Sequence, residues 1–516
     1  MKRLEWMLDE LEGWLLPFCA IAALIIGIVG VGRFLRLDEA NSVLIAGHSA
    51  ARIFEYLRND NNLPLYYLLL HAWTRIAGTS EPAVHLLSVV FYFLGAAATY
   101  LLGLEVSGSR RGAVYSSFFY VVSLQAIHQA QKARMYSLLG FVAALSTLFF
   151  FRVLWRKTAT RSDWLVYVLI HAIGTFVHVW YFFVLLAHAV CGLIFQPGKW
   201  RSLATALVAS VLPFLALWAR FVPHQAEIGA VDWMPHIHLS AFLTVFAEFY
   251  GGRKWGLVFL LAVFGICIAG FKKRESEPMP YRPIAALVSI AVLCTVVPLF
   301  VSVVRPMYWP GRYTMVALPA FAAALGCLLA ALGNSKLRAP FAYGVLLLIL
   351  GFHIRTRTEV FENSSNVFPD AQSDKAISAE ICQNAAPGDA LVFTGLARAG
   401  VEYYLQRFGC AQKLQLFSVP ADTDQHLGWA RAPSAPETES EADRIAKSFL
   451  QGDKNHNRLW LIPAENREPD RILLTNVFDR EIGTGTPILV RGSFFDEVLV
   501  YNHNSDSLMP AANGTH

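Results

Sequence analysis

PAVHLLSVVFYFLGAAATYLLGLEVSGSRR, residues 82–111, decides how the chain is read. Its first part, 82–104, contains no Asp, Glu, Lys or Arg. That is enough apolar chain to cross roughly 30 Å of bilayer hydrocarbon as a helix. It runs into the basic loop Ser109-Arg110-Arg111. Short loops rich in Lys and Arg stay on the cytoplasmic side of a membrane. The stretch therefore reads as a span that ends in the cytoplasm.

Working outward, similar runs lie at 14–32, 112–127, 137–154, 164–179, 180–195, 202–221, 255–271, 283–304, 315–332 and 340–354. With 82–104 they make about eleven spans of roughly 20 residues each. Four more basic loops recur after every second span: Trp155-Arg156-Lys157 with Arg161, Lys199-Trp200-Arg201, Phe271-Lys272-Lys273-Arg274 and Ser335-Lys336-Leu337-Arg338. Their parity puts the N-terminus in the cytoplasm and everything after 353 outside it. The run Trp14 to Val31 is too long for a typical signal-peptide core and lacks an A-x-A-like site, so it reads as a retained first span. Leu63 to Ile76 is apolar but short, and carries His71 and Arg75. Runs of that length are more often interfacial than spanning. If it did span, Asp38 would change sides. Asn41 to Leu57 mixes apolar residues with Arg52, Glu55 and Arg58, which also suits a helix lying on the membrane surface. A second interfacial segment is expected over His238 to Tyr250.

The chain has 516 residues, 55% of them hydrophobic, against an ordinary 45–50% for soluble domains. The excess is confined to the part before 353. The expected fold is a polytopic α-helical membrane domain over 1–354, with interfacial helices in its first external loop, followed by an extracytoplasmic α/β domain over 355–516. In that tail, Ala390 to Phe393, Leu414 to Val419, Leu459 to Pro463 and Ile488 to Arg491 read as strands. Val401 to Phe408 reads as a helix, and Asp422 to Asp443 as a polar loop. Such alternation predicts a mostly parallel sheet. The net charge of +5 is spread through short loops, which sets nucleic acid aside as a partner. No CxxC, GxGxxG or Walker pattern occurs, so zinc, thioredoxin-type and nucleotide sites lack support. Cys382 and Cys410 both fall in the tail, where a disulfide and two free thiols are equally open readings.

The external loops collect the reactive side chains. Asp38 and Glu39 follow the first span, and read either as solvated loop carboxylates or as a general base for a hydroxyl. His128 to Tyr136, HQAQKARMY, is dense in donors for a connection between spans. Lys132 and Arg134 are either snorkelling cations or an anion site, since the Arg fork suits phosphate oxygens. Arg305 to Tyr313, RPMYWPGRY, adds Arg312 and Tyr313, with Tyr308 and Trp309 as ordinary belt aromatics. His178 stands with Trp180 and Tyr181 where one span turns into the next, a place where a lone His is more often structural.

Four stretches, in order, carry a resemblance. They are Leu37-Asp38-Glu39-Ala40, Asn62-Leu63-Pro64-Leu65-Tyr66-Tyr67 with Leu68-Leu69-Leu70-His71, Gln131-Lys132-Ala133-Arg134-Met135-Tyr136, and Gly311-Arg312-Tyr313 leading to Leu318-Pro319. Over about residues 10–335 the chain resembles the GT-C membrane glycosyltransferases of the family 39 type. These are relatives of protein O-mannosyltransferases and of lipid A aminoarabinose transferase.

The resemblance implies an enzyme of the cell's inner (plasma) membrane. It implies a polyprenyl-phosphate sugar as donor and an acceptor hydroxyl on an envelope glycan, lipid A or a protein. Transfer would invert the anomeric carbon, with Asp38 as base and Glu39 beside it. Arg134, Lys132 and Arg312 would face the leaving phosphate. Tyr66, His71, Gln131, Tyr136, His178 and Tyr313 would contact substrate. The leaving group is a single phosphate without a nucleotide, so no metal or cofactor is required. The chain departs from the family pattern at Lys132, commonly Glu, at Leu63-Pro64, commonly two prolines, and at His85, often Arg. A cation at position 132 suits an acidic sugar such as a uronic acid. Two other classes keep the topology: a lipid or sugar transporter or flippase, and a non-catalytic partner in envelope polysaccharide assembly. Transporters tend to carry internal repeats and mid-membrane charges, and neither is evident here.

Overall fold

The structure is a computed structural model. It describes residues 31–35, 37–60, 62–227, 240–251, 281–309, 311–331, 369–422, 433–451, 458–463, 468–488 and 498–502, with isolated positions in 10–28, 234–261 and at 344. Of the expected spans at 14–32, 255–271 and 340–354 only scattered residues are described, and the last two fall mostly outside them. Two compact units emerge: Met1–Arg33 with His48–Thr356, and Phe34–Gly47 with Arg357–His516. The first described helix, α1 (Leu37–Gly47), belongs to the second unit.

The first unit is helical. Helix α2 (Ala50–Arg58) starts at Ser49, whose hydroxyl accepts from the Arg52 N–H. The expected single helix over 41–57 is therefore broken, since Gly47 ends α1 and Ser49 caps the next helix. Ile53 and Leu57 are buried while Arg52 and Glu55 stay exposed. Helix α3 (Pro64–Ala77) has 14 residues, about 21 Å at 1.5 Å per residue, short of a full crossing. Its Pro64 sits in the first turn, where a missing N–H costs nothing.

Helix α4 (Glu81–Ser107) is the longest of the unit and is apolar on both sides. Leu86, Val90, Leu94, Leu101 and Leu104 point outward, a stripe that suits lipid rather than water. Its inner face is small. A side chain at Gly103 would strike Ser116 of the following helix, and so would one at Gly326. Close approach through small residues is how helices pack where no water drives them together.

That following helix, α5 (Arg110–Val121), ends early. The expected span over 112–127 is instead α5 plus a short α6 (Leu124–Ala130), because Ser123 caps a new helix with its hydroxyl. Then come α7 (Tyr136–Trp155), α8 (Arg161–Gly174), α9 (Tyr181–Phe195), α10 (Trp200–Leu217), α11 (Val222–Glu227), α12 (Ser240–Thr244), α13 (Tyr281–Val304) and α14 (Leu318–Ala330). The segment expected at the interface over 238–250 is α12 and a 3-10 turn, Ala247–Tyr250. Among the described residues four helices are long and apolar enough to cross a membrane: α4, α7, α13, and α10 with the turn that leads into it. Helices α9 and α14 are apolar but shorter.

The basic loops do structural work at their helix ends. Arg156 grips Glu105 through two hydrogen bonds of 2.7 and 2.5 Å. Lys199 Nζ donates to the last carbonyls of α7, at Val153 (3.1 Å) and Leu154 (2.8 Å). A cation there complements the helix C-terminus.

Deeper in the unit, a polar chain fastens α7, α8 and α9 together. Thr147 Oγ1 donates to the Ala143 carbonyl, so it accepts from His188 Nε2 at 3.4 Å. His188 Nδ1 then accepts from Tyr167 Oη and His171 Nε2, each at 3.1 Å, and His171 Nδ1 accepts from Tyr181 Oη at 3.0 Å. Both imidazoles are satisfied as neutral rings. Both ring nitrogens of His171 are thus used within this chain.

The second unit has three layers. Helix α15 (Pro369–Asn384) leads to β1 (Ala390–Thr394), α16 (Arg398–Phe408), β2 (Gln415–Val419), α17 (Ala435–Gln451), β3 (Arg458–Ile462), α18 (Glu468–Glu481), β4 (Thr486–Ile488) and β5 (Val498–Asn502). The sheet order is β2-β1-β3-β5-β4. Strand β1 is parallel to β2 and β3, while β5 runs antiparallel to β3 and β4. The sheet is therefore mixed, not mostly parallel, because β5 returns as a strand the sequence reading did not anticipate. Alternate strand residues feed two cores. Val392 and Leu461 pack with Ile445 and Phe478 on one face, and Leu391 and Trp460 with Ile381 and Leu405 on the other. The expected loop over 422–443 is overturned in its second half by α17. There Thr438, Ala442, Ile445, Ala446 and Phe449 recur at helical spacing and are buried. Cys382 and Cys410 are joined in a disulfide with their Cα atoms 5.6 Å apart. Helix α1 lies on α16, and the Leu35 N–H donates to Tyr404 Oη at 3.1 Å.

Candidate functional site

The donor-rich stretch 122–136 is where the first unit concentrates polar side chains. The break after α5 frees Ser123, whose Oγ donates to the Phe249 carbonyl at 2.9 Å. Helix α6 then presents Gln125 and Gln129 four residues apart, on one face. Gln125 Nε2 donates to Thr314 Oγ1 at 2.8 Å and Gln129 Nε2 to the Gly311 carbonyl at 2.5 Å. These two amides fasten the 311–314 segment. Gly311 adopts φ +71°, a conformation glycine takes without strain.

After α6 the chain turns tightly, with the Arg134 N–H donating to the Lys132 carbonyl at 2.8 Å. The turn leaves Lys132 half-buried and sends Arg134 inward, to 7% exposure. Arg134 Nη1 donates to Tyr67 Oη at 3.3 Å, and Nη2 to Asn62 Oδ1 at 3.4 Å. Ser88 Oγ donates to the Arg134 carbonyl at 3.3 Å. A buried guanidinium needs such partners, and its planar fork leaves it suited to an oxyanion.

The turn between α8 and α9 closes the other side. It is tied to α3 by the Leu65 N–H, which donates to the Phe176 carbonyl at 3.2 Å. His178 sits in this turn, 5.8 Å from the Tyr136 ring and 4.9 Å from the Tyr313 ring, centroid to centroid. Its Nδ1 accepts the Trp180 N–H at 3.2 Å, which leaves the proton on Nε2. Burial, and next the positive charge of Arg134, push the His178 pKa down, so the ring is neutral. Trp180 Nε1 donates to the Met307 carbonyl at 3.2 Å, and Tyr308 Oη donates to Glu248 at 2.9 Å.

Of the residues expected from sequence, Arg134, Tyr136, His178 and Tyr313 are brought into one cluster. Gln131 lies in the same turn and uses its carbonyl to accept Arg33 Nε at 2.8 Å. Arg312 is half-buried, with its guanidinium 5.6 Å from the Trp309 ring. Tyr66 is fully buried and packs edge-on against Tyr67, at 5.9 Å. The hydroxyl of Tyr67 meets Arg134. His71 is half-buried, one helical turn beyond Tyr67 on α3.

Asp38 and Glu39 occupy the first turn of α1, in the second unit. Asp38 is half-buried and Glu39 only 2% exposed. The Asp38 carbonyl accepts Ser42 Oγ at 2.7 Å. Sequence reasoning singled out neither Asp60 nor Gln125, while Gln129 falls in the donor-dense stretch 128–136 and Glu248 in the segment expected at the interface. The spacing of Gln125 and Gln129 was a readable signal, while Asp60 has none. Among the described residues no group of three or more His, Cys, Asp or Glu stands together as a metal site.

No protein-family model matches this chain, and no curated protein matches it in sequence. Solved structures do. The chain aligns with ArnT from Cupriavidus metallidurans bound to undecaprenyl phosphate at a TM-score of 0.64 and 14% identity, covering 96% of this chain and 98% of that one. The apo form of the same protein aligns at 0.65 and 14% identity, over 95% and 97%. The archaeal oligosaccharyltransferase AglB from Archaeoglobus fulgidus, in complex with an inhibitory peptide and a dolichol-phosphate, reaches only 0.48 at 11% identity, over 87% and 69%, too low to argue from. At this identity the likeness is one of fold: the chain shares the fold of ArnT.

Proposed function

We propose that the protein is a membrane glycosyltransferase that takes its sugar from a polyprenyl-phosphate donor and gives it to an acceptor hydroxyl. The observation that carries this reading is Arg134, a buried guanidinium held by Tyr67 and Asn62 beside a neutral His178. It occurs in a chain whose fold is that of a protein solved with undecaprenyl phosphate. A fixed cation in a buried setting suits the charge that develops on a departing phosphate.

In the proposed reaction Asp38 accepts the proton of the acceptor hydroxyl. The oxygen attacks the anomeric carbon from the face opposite the lipid. The bond from that carbon to the phosphate oxygen breaks, and its electron pair leaves with the polyprenyl phosphate. The configuration inverts. Arg134, with Lys132 and Arg312, offsets the phosphate charge. Glu39 stands beside the base, and Tyr66, His71, Gln131, Tyr136, His178 and Tyr313 complete the proposed substrate contacts. No step takes a metal, so activity should survive chelation with EDTA. The acceptor belongs to the envelope: a glycan, lipid A or a protein.

The reading also takes about eleven spans of roughly 20 residues each in the inner membrane. On this reading, which the basic loops support, the N-terminus is cytoplasmic and the domain from 355 lies outside.

The test is to give the purified full-length protein, in nanodiscs, a panel of undecaprenyl-phosphate sugars and an envelope extract, and follow both by mass spectrometry. One donor should be converted to undecaprenyl phosphate as an acceptor gains the sugar mass. Failure to bind undecaprenyl phosphate or to consume any donor would overturn the reading.

A further inference from the structure

Asp60 is a carboxylate only 5% exposed. Burying a charge is costly unless hydrogen bonds satisfy it. Its Oδ2 accepts Asn62 Nδ2 at 2.8 Å, and Asn62 Oδ1 accepts Arg134 Nη2 at 3.4 Å. The order of this chain follows from its chemistry. An ionised carboxylate only accepts, a guanidinium only donates, and an amide does one at each end. The Asn62 amide therefore bridges the two in a single orientation.

The backbone that carries Asp60 is clamped as well. Gln225 Nε2, from α11, donates to the Leu57 carbonyl at 2.9 Å and to the Asp60 carbonyl. His224 Nε2 lies 3.0 Å from Asn59 Oδ1. On the other arm of the fork, Tyr67 Oη takes Arg134 Nη1. Each Nη group is thus assigned a partner, and one of these partners is itself oriented from behind.

We propose that Asp60 is a positioning residue that acts through Asn62 to aim the Arg134 guanidinium at the donor phosphate. The proposal rests on the reading of Arg134 as the phosphate ligand. In Asp60→Asn the side chain at 60 both donates and accepts, so it no longer imposes one orientation on Asn62. A flipped Asn62 would turn its NH₂ toward the guanidinium, and the fork would lose its aim.

The test is a double-mutant cycle on the full-length protein in nanodiscs, with undecaprenyl phosphate as the probe and the melting temperature recorded alongside. Arg134→Lys removes the fork and should weaken binding. Asp60→Asn should weaken binding about tenfold in the wild-type background and less than about twofold in the Arg134→Lys background, as expected of coupled residues. Asn62→Ala breaks the same relay, and takes the place of Asp60→Asn if that variant does not fold. A merely structural Asp60 would lower the melting temperature and leave the affinity of the folded protein unchanged, which overturns the proposal. Equal effects in both backgrounds also overturn it. If Arg134→Lys itself leaves binding unchanged, the phosphate reading fails and the proposal falls with it. If only Asp60→Asn and Asn62→Ala are silent, the proposal alone fails.

Discussion

The rings of His178 and Tyr313 lie 4.9 Å apart, tilted by 34°. They join the turn between α8 and α9 to the segment that α6 holds through Gln125 and Gln129. Tyr136, at the start of α7, completes the group at 5.8 and 5.9 Å. Three separate connections between helices thus meet at one imidazole. Its neutrality matters, because a charged ring beside Arg134 would repel the guanidinium.

That neutrality has a sign in pH. The folded protein holds the His178 pKa below its ordinary value of about 6.5. Below that value the unfolded chain binds more protons than the folded one, so stability falls as pH falls. Above it the contribution is fully present. At pH 5.5 the wild type should have lost about 1.4 kcal/mol through this group relative to pH 7.5. His178→Gln keeps an acceptor for the Trp180 N–H and cannot charge. Melting temperatures at the two pH values should therefore drop less in the variant. An equal drop would mean that the ring is not held neutral.

The legible part of this protein was the part written in periodicity and charge. The apolar run of 82–104 became α4, and the loop at 128–136 became a turn around a buried Arg134. Breaks inside apolar runs were not legible. Only Val122 and Ser123 separate Val121 from Leu124, and a single serine cap with its partner at Phe249 divides the expected span. The Tyr67 contact with Arg134 was not written in the sequence either. Adjacent aromatic residues on a helix point about 100° apart, and which one faces Arg134 depends on how α3 docks. Helix α17 was obscured by composition, since its polar face dominates a stretch whose buried residues keep helical spacing.

Lys132 departs most plainly in charge from the pattern the sequence resembles. It shares a tight turn with Arg134 but stays half-buried. A cation there favours a donor whose sugar carries a carboxylate. Lys132→Glu should raise the KM for an undecaprenyl-phosphate uronic acid by about tenfold, the size of one hydrogen bond to a charged group. The KM for a neutral hexose donor should change little. Unchanged selectivity between the two donors would remove Lys132 from sugar recognition.

Cys382 and Cys410 close a loop whose ends are 28 residues apart in sequence. A loop of that size should stabilise the second unit by roughly 3–4 kcal/mol, mainly by restricting the unfolded chain. Alkylation of the intact protein without reductant should leave both cysteines unlabelled. Cys382→Ala with Cys410→Ala should make the second unit unfold at lower denaturant than the wild type. Labelling of both thiols in unreduced protein would contradict the pairing.

Asp38 carries the mechanistic weight of the proposed reaction. It stands in the first turn of α1. Asp38→Asn is nearly isosteric and keeps an oxygen acceptor, so α1 should still pack on α16. What it removes is the capacity to take a proton at neutral pH. General-base loss of this kind typically costs 10²–10⁴-fold in rate. The variant should therefore express and melt like the wild type and bind undecaprenyl phosphate with the same affinity, while its kcat falls by about that factor. Glu39→Gln separates the two neighbours. Glu39 is almost fully buried, so its loss should show first in stability rather than in kcat. Should Asp38→Asn transfer sugar at the wild-type rate, the base lies elsewhere, and a Glu39→Gln variant with lost kcat and an intact melting temperature would point to its neighbour.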